Sequence, residues 1–239
     1  MAQDVKKLFF ELLQVSMGTL ECVERGPSPE EWNTFYEWAK TQQVEGVGYH
    51  GVERLFEFGL RAPQDVSIDW MSEAEMIREQ NQQTKQPRVA QYYPETLRDL
   101  RQRSADDDGT SQTLDVQQLY RLSQQGRLNI RLLMDYCYVL RATKGRYEKL
   151  KAGGVGALLL GTVGQRRFAR GLTWLLHEAL ALEPEFMQWK PLETEGRYLL
   201  ADMFGEHSSW QRMVHRMKYL AFCRMTDEQR RKDNEEIYP

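Results

Sequence analysis

Ser28-Pro29-Glu30-Glu31-Trp32-Asn33-Thr34-Phe35-Tyr36-Glu37-Trp38-Ala39 decides the fold class, because it joins a complete helix start to an apolar face. A serine just before the first turn accepts from helix N–H groups that have no partner of their own, and proline suits the first helical position. Glu31 stands three residues after Ser28 and can reach back to its N–H, closing a capping box. Trp32, Phe35, Tyr36 and Ala39 then recur at helical spacing and predict one buried stripe.

The same period extends outward in both directions. Leu8, Phe9, Leu12 and Leu13 predict a first amphipathic helix ending near Gly18, and Trp70, Ala74 and Ile77 predict another. Between them, Gly46, Gly48 and Gly51 would let helices approach closely. Their G-x-G-x-x-G-like order follows a helix rather than a strand, which argues against a dinucleotide-binding turn. From Thr84 to Gly109 no apolar period is visible, and Pro87, Pro94 and the polar run after Arg98 mark a loop-rich junction. Helical spacing resumes at Val116, Leu119 and Tyr120, breaks at Gly126, and returns in Ile130, Leu133, Met134, Cys137 and Tyr138. Three further stripes follow: Phe168, Leu172, Leu175, Leu176 and Ala179; Leu199, Leu200, Met203 and Phe204; and Trp210, Met213, Val214, Met217, Leu220 and Ala221. Trp174, Trp189 and Trp210, with the ten methionines, are expected to fill a helical core. Val155 to Leu160 is the single candidate for a buried strand, and a helix start is equally allowed there. The fold expected is all-α or nearly so.

A chain of 239 residues with 41% hydrophobic and 28% charged residues can bury a substantial core, in one or two domains. A net charge of −3 gives no broad cationic surface of the kind that grips nucleic acid. Cys22, Cys137 and Cys223 are few, odd in number and far apart, each near an apolar helical stripe, so buried reduced thiols are expected rather than a disulfide framework. The apolar stretch after Lys6 and Lys7 is broken by Glu11 and Gln14 and is too short to span a bilayer. No membrane partner and a cytoplasmic location are the expectation.

Ligand-capable oxygen is densest in Ser104-Ala105-Asp106-Asp107-Asp108-Gly109. On a strand, carboxylates at i and i+2 such as Asp106 and Asp108 point to one side and can share Mg²⁺, which prefers oxygen ligands and bridges to phosphates. The same residues also make an ordinary acidic loop, neutralised by Arg101 and Arg103. His50, His177, His207 and His215 are not spaced as a metal-binding HExxH motif, and no serine lies in a nucleophile-elbow sequence, so a hydrolase is disfavoured. Arg131 with Asp135, and Glu193 with Arg197, sit one helical turn apart and read as surface or packing ion pairs.

The stretch KQPRVAQYYPETLRDLRQRSADDD, Lys85 to Asp108, resembles the uncharacterised nucleotidyltransferases of the Bacteroidetes type, which share the DNA polymerase beta-like fold. In that family a lysine and glycines lead into an Ala-Gln-Tyr-Tyr-Pro-like sequence and then into Arg-Gln-x-Gly-Asp-x-Asp. Flanking segments agree in order. FFELLQVSMGTLE and EEWNTFYEWAKTQQVEGVGYHGVERL resemble the N-terminal helical region, and GRLNIRLLMDYCYVLRA, RRFARGLTWLLHEALAL and WKPLETEGRYLLADM resemble the C-terminal one. The resemblance implies Asp106 and Asp108 as ligands of a Mg²⁺ ion that receives a nucleoside triphosphate, and Lys85 near the phosphates. It divides the chain into an N-terminal helical region (1–84), a loop-rich remnant of the nucleotidyltransferase motif (85–113) and a C-terminal helical region (114–239).

The departures from that pattern set the functional expectation. Gln86, Pro87 and Arg88 stand where small residues are expected after the lysine, and Pro87 removes a backbone donor that a phosphate-binding turn would use. Ala105 replaces the glycine before the first aspartate, and LDVQQLYRL arrives within a few residues of Asp108, before a third carboxylate strand can form. The expectation is a helical bundle with at most a small sheet remnant, in which nucleotidyl transfer is weak or absent. An active Mg²⁺-dependent transferase with an unknown acceptor and a helical protein-interaction module are the alternatives.

Overall fold

The computed structural model describes residues 2–83, 116–142 and 163–222. Nine α-helices carry the regular structure among them: α1 (Ala2–Met17), α2 (Pro29–Gln42), α3 (Glu45–Glu57), α4 (Gln64–Gln83), α5 (Val116–Gln124), α6 (Ile130–Ala142), α7 (Val163–Leu180), α8 (Glu193–Met203) and α9 (Ser209–Phe222). A short 3₁₀ turn, Pro184–Phe186, follows α7, and there is no strand among the described residues. The all-α expectation therefore holds for them. The strand candidate at Val155 to Leu160 lies outside the described residues, and no described helix is long and apolar enough to cross a membrane.

The chain divides into two compact units. The first comprises residues 1–112, 129–135 and 179–181. Its second helix starts as the sequence requires: Glu31 donates its backbone N–H to Ser28 Oγ at 3.3 Å, and Ser28 N–H donates to the Glu31 carboxylate at 2.8 Å. Trp32, Phe35 and Ala39 are buried from α2, and Phe9, Leu12 and Leu13 from α1. Phe9 meets Phe35 at 5.5 Å between ring centres and Trp38 at 5.6 Å. Fully burying an apolar side chain of this size stabilises by roughly 1.5–3 kcal/mol, so the stripe accounts for much of this unit's cohesion.

Two of the glycines noticed in the sequence make α3 the centre of this unit. A Cβ at Gly51 would lie 2.6 Å from the Leu12 carbonyl oxygen, and one at Gly48 would lie 2.5 Å from the Trp70 ring. Bare backbone at these points lets α1 and α4 close on α3. Trp70 is fully buried and donates its indole N–H to the Glu45 carbonyl at 2.8 Å, so its polar atom is satisfied. The start of α6 is held by Asn129, whose Oδ1 accepts from Leu132 N–H at 3.0 Å, and by buried Gln42, which accepts from Ile130 N–H at 3.1 Å.

The second unit comprises residues 113–128, 136–178 and 182–239. Leu119 of α5, Tyr136, Cys137 and Leu140 of α6, Phe168, Leu172, Leu175 and Leu176 of α7 and Leu199 of α8 are buried in it. Tyr120 meets Phe168 edge to face at 5.4 Å. The chain turns after α5 and after α8 through Gly126 (φ +67°) and Gly205 (φ +71°), a backbone region that glycine adopts without steric cost.

Two expectations are corrected. Trp210 does not fill the core: it is 66% exposed, and Met213 and Met217 on the same helix are 43% and 58% exposed. Trp174 and Trp189 are half-buried. The reason lies in α9's polar side, described below. Cys22 is also not buried; it is half-buried in the connection after α1, while Cys137 is buried as expected, and both thiols are free.

Candidate functional site

Asp106, Asp108 and Lys85 lie outside the described residues, as does the whole segment between α4 and α5. Among the described residues, no group of three or more His, Cys, Asp and Glu side chains converges where a metal ion could be held. Among the described residues, a cluster of polar side chains around a buried carboxylate lies in the second unit, where α7, α8 and α9 meet.

Its geometry begins with two glycines. A Cβ at Gly171 of α7 would lie 2.5 Å from Glu195 Cγ, and one at Gly196 of α8 would lie 2.1 Å from Trp174 Cε3 and 3.0 Å from the Gly171 carbonyl oxygen. The helices cross at these points, and Leu192 N–H donates to the Arg170 carbonyl at 3.1 Å just before α8 begins. The crossing draws the first turn of α8 inward and leaves the Glu195 side chain 3% exposed.

A buried carboxylate needs partners, since desolvation disfavours its charge. Glu195 has them. Its Oε1 is 3.1 Å from His215 Nε2, and its Oε2 is 3.9 Å from Arg167 Nε. A carboxylate accepts only, so Nε2 of His215 carries the proton in this bond. Tyr198 and Asp202 follow Glu195 at i+3 and i+7, on the same helical face. Tyr198 is sandwiched between two imidazoles, His215 at 3.4 Å and His207 at 4.3 Å between ring centres. Asp202 accepts from Arg212 Nε at 2.6 Å, and His207 Nδ1 lies 3.8 Å from the same oxygen. Arg212 and His215 are i and i+3 on α9, so both are bonded to α8 from one side of α9.

The turn between the two helices is built to hold this arrangement. Gln211 N–H donates to Ser208 Oγ at 3.3 Å, and Ser208 N–H donates to Gln211 Oε1 at 2.7 Å. This is a second capping box, with glutamine in the third position, and it sets the start of α9.

Buried acid, oriented imidazole and stacked phenol are groups that acid–base chemistry uses. The space beside them is small. The cleft bounded by Tyr120, Phe168, Tyr198 and His215 has a volume of about 20 Å³, room for about one water molecule. Nucleotide-sized ligands take pockets of roughly 300–1,000 Å³. The cluster is arranged to join α8 to α9 by their polar sides.

Spacing alone does not single out these residues as a group: His207 and His215 fit no metal-binding motif, and Glu193 and Arg197, one turn apart, form the expected ion pair at 2.8 Å. The legible signals were the i, i+3, i+7 spacing of Glu195, Tyr198 and Asp202 and the Ser208-x-x-Gln211 cap. No family model matches the chain, and no curated protein and no solved structure matches it.

Proposed function

We propose that this chain is a nucleotidyltransferase-like protein in which nucleotidyl transfer is weak or absent, and that it works by binding a protein partner through its helices. The observation that carries the reading is the length of chain between α4, which ends at Gln83, and α5, which begins at Val116. Those 32 residues (116 − 83 − 1) include Lys85, Asp106 and Asp108. A sheet of four or more strands of about 5–6 residues each, with its connections and a third carboxylate, takes more chain than that.

Asp106 and Asp108 would be the residues to hold Mg²⁺, which supplies electrophilic stabilisation at a phosphate when bound. Two carboxylates without a phosphate-binding turn make an incomplete site for an ion that demands near-octahedral oxygen geometry. The polar cluster of the second unit supports the same reading, since its groups are engaged with one another beside a water-sized cleft.

Calorimetric titration of the full chain with ATP, GTP, CTP or UTP and excess Mg²⁺ tests it. The expected result is no binding tighter than about millimolar, equivalent to roughly 4 kcal/mol, with the Asp106→Ala/Asp108→Ala variant indistinguishable from the parent. Micromolar binding by the parent that disappears in the double variant would favour an active Mg²⁺-dependent transferase instead.

A further inference from the structure

Helix α4 carries apolar side chains on two opposite sides. Val66, Trp70, Ala74 and Ile77 stand at i, i+4, i+8 and i+11 and are buried, which gives the helix its core-facing stripe. On the other side, Ile68 is 50%, Met71 39% and Met76 53% exposed. Ile68 precedes Met71 by about one turn and Met76 by about two. The buried stripe already joins α4 to the first unit, and folding of that unit leaves these three side chains uncovered.

The charge of α4 is as uneven as its apolar surface. Asp65, Asp69, Glu73, Glu75 and Glu79 against Arg78 alone give the helix a net −4, where the whole chain sums to −3. Asp69 and Glu73 lie near Lys40 of α2. Asp65, Glu75 and Glu79 are exposed on the side of Ile68, and among the described residues no cation is paired with any of them. Glu75 and Glu79 are also one turn apart, and like charges at that spacing destabilise a helix. This charge limits what can cover the exposed side. Anionic lipid surfaces and nucleic-acid phosphates are repelled, and a second copy laid on the same face would set like charges against each other. A helix with apolar anchors at i, i+3 and i+7 and lysines or arginines beside them complements both the apolar side chains and the carboxylates. Methionine suits such a surface because its flexible thioether adapts to the partner's side chains.

We propose that the exposed side of α4 docks a cationic amphipathic helix of a different protein, with Ile68, Met71 and Met76 as the apolar contacts and Asp65, Glu75 and Glu79 as the charged ones. The proposal rests on the binding role argued above and names its surface and the chemistry of its partner.

The test is calorimetric titration of the full chain with the synthetic peptide LKKLLKLLKKLLKL, which is amphipathic and cationic as a helix. Saturable binding is expected, with a Kd that rises with ionic strength. The Kd should weaken about tenfold or more in Ile68→Ala/Met71→Ala and in Glu75→Gln/Glu79→Gln. It should stay at the parent's value in Glu21→Gln/Glu185→Gln, which removes two exposed carboxylates elsewhere. Because the substituted α4 side chains are exposed, both α4 variants should keep the parent's circular dichroism and melting temperature, which separates lost docking from lost folding. No saturable binding, as a face covered by another part of this chain would give, would overturn the proposal. So would equal binding of a peptide with the same composition shuffled out of helical period, or equal weakening by Glu21→Gln/Glu185→Gln. A parent that dimerises alone and turns monomeric in Glu75→Gln/Glu79→Gln would put a second copy on this face and overturn it as well. The nucleotide titration is read separately, so the transferase reading and this one fail independently.

Discussion

Gly196 lies under the ring of Trp174 so closely that a methyl group there would come within 2.1 Å of Trp174 Cε3. Two effects oppose each other in Gly196→Ala. Alanine favours a helix over glycine by about 1 kcal/mol, whereas overpacking a tight contact costs about 1–3 kcal/mol. Here the Gly171 carbonyl, 3.0 Å from the same position, blocks relief by a backbone shift. The clash should win, with a net loss of about 1–2 kcal/mol in denaturant unfolding; a more stable variant would mean that the helices do not cross here.

Met134 is 5% exposed beside fully buried Ile130 and nearly buried Leu133. Met134→Asp places a carboxylate in that environment, and an unpaired buried charge costs several kcal/mol, roughly 3–5. The variant should melt far below the parent or fail to fold, as thermal unfolding would record. Parent-like melting would place this face of α6 at the surface.

Glu31 makes two bonds to Arg25, at 2.7 and 2.5 Å, and accepts from Ser28 N–H, which together hold its carboxyl down to about 2. A carboxylate whose folded value is depressed stabilises the fold above its unfolded value and loses that contribution as pH falls through the folded value. Glu31→Gln should therefore lower Tm at pH 7, with the difference from the parent shrinking between pH 4.5 and about 2. A difference that is constant across that window would show that the charge of Glu31 is not what stabilises the cap.

Burial pushes the Cys137 thiol up to about 12, so little thiolate is present at neutral or mildly alkaline pH. Iodoacetamide at pH 8, read by peptide mass mapping, should modify half-buried Cys22 in the native protein and leave Cys137 untouched until denaturant is added. Equal labelling of both in the folded state would contradict the burial of α6.

Much of the fold was legible because its signals are local. Ser28, Pro29 and Glu31 specify a helix start through contacts within four residues, and Gly48 and Gly51 announced close helix approach by lacking a side chain. The polar cluster was less legible. Glu195 and His215 are twenty residues apart on two helices, and nothing in their spacing says that a turn at Gly205 will fold one onto the other.

By itself, the sequence determined that the described chain is helical, where its helices begin and turn, and which stripes are apolar, since capping and the 3.6-residue period are properties of neighbouring residues. Tertiary structure alone decided which side of α9 faces inward. Periodicity finds the apolar side of a helix, and the usual inference is that this side is buried. In α9 that inference fails because Glu195, drawn inward by the Gly171 and Gly196 crossing, needs a partner, and His215 on the polar side supplies it. Meeting that need, together with the bond from Arg212 to Asp202, turns Trp210, Met213 and Met217 to solvent.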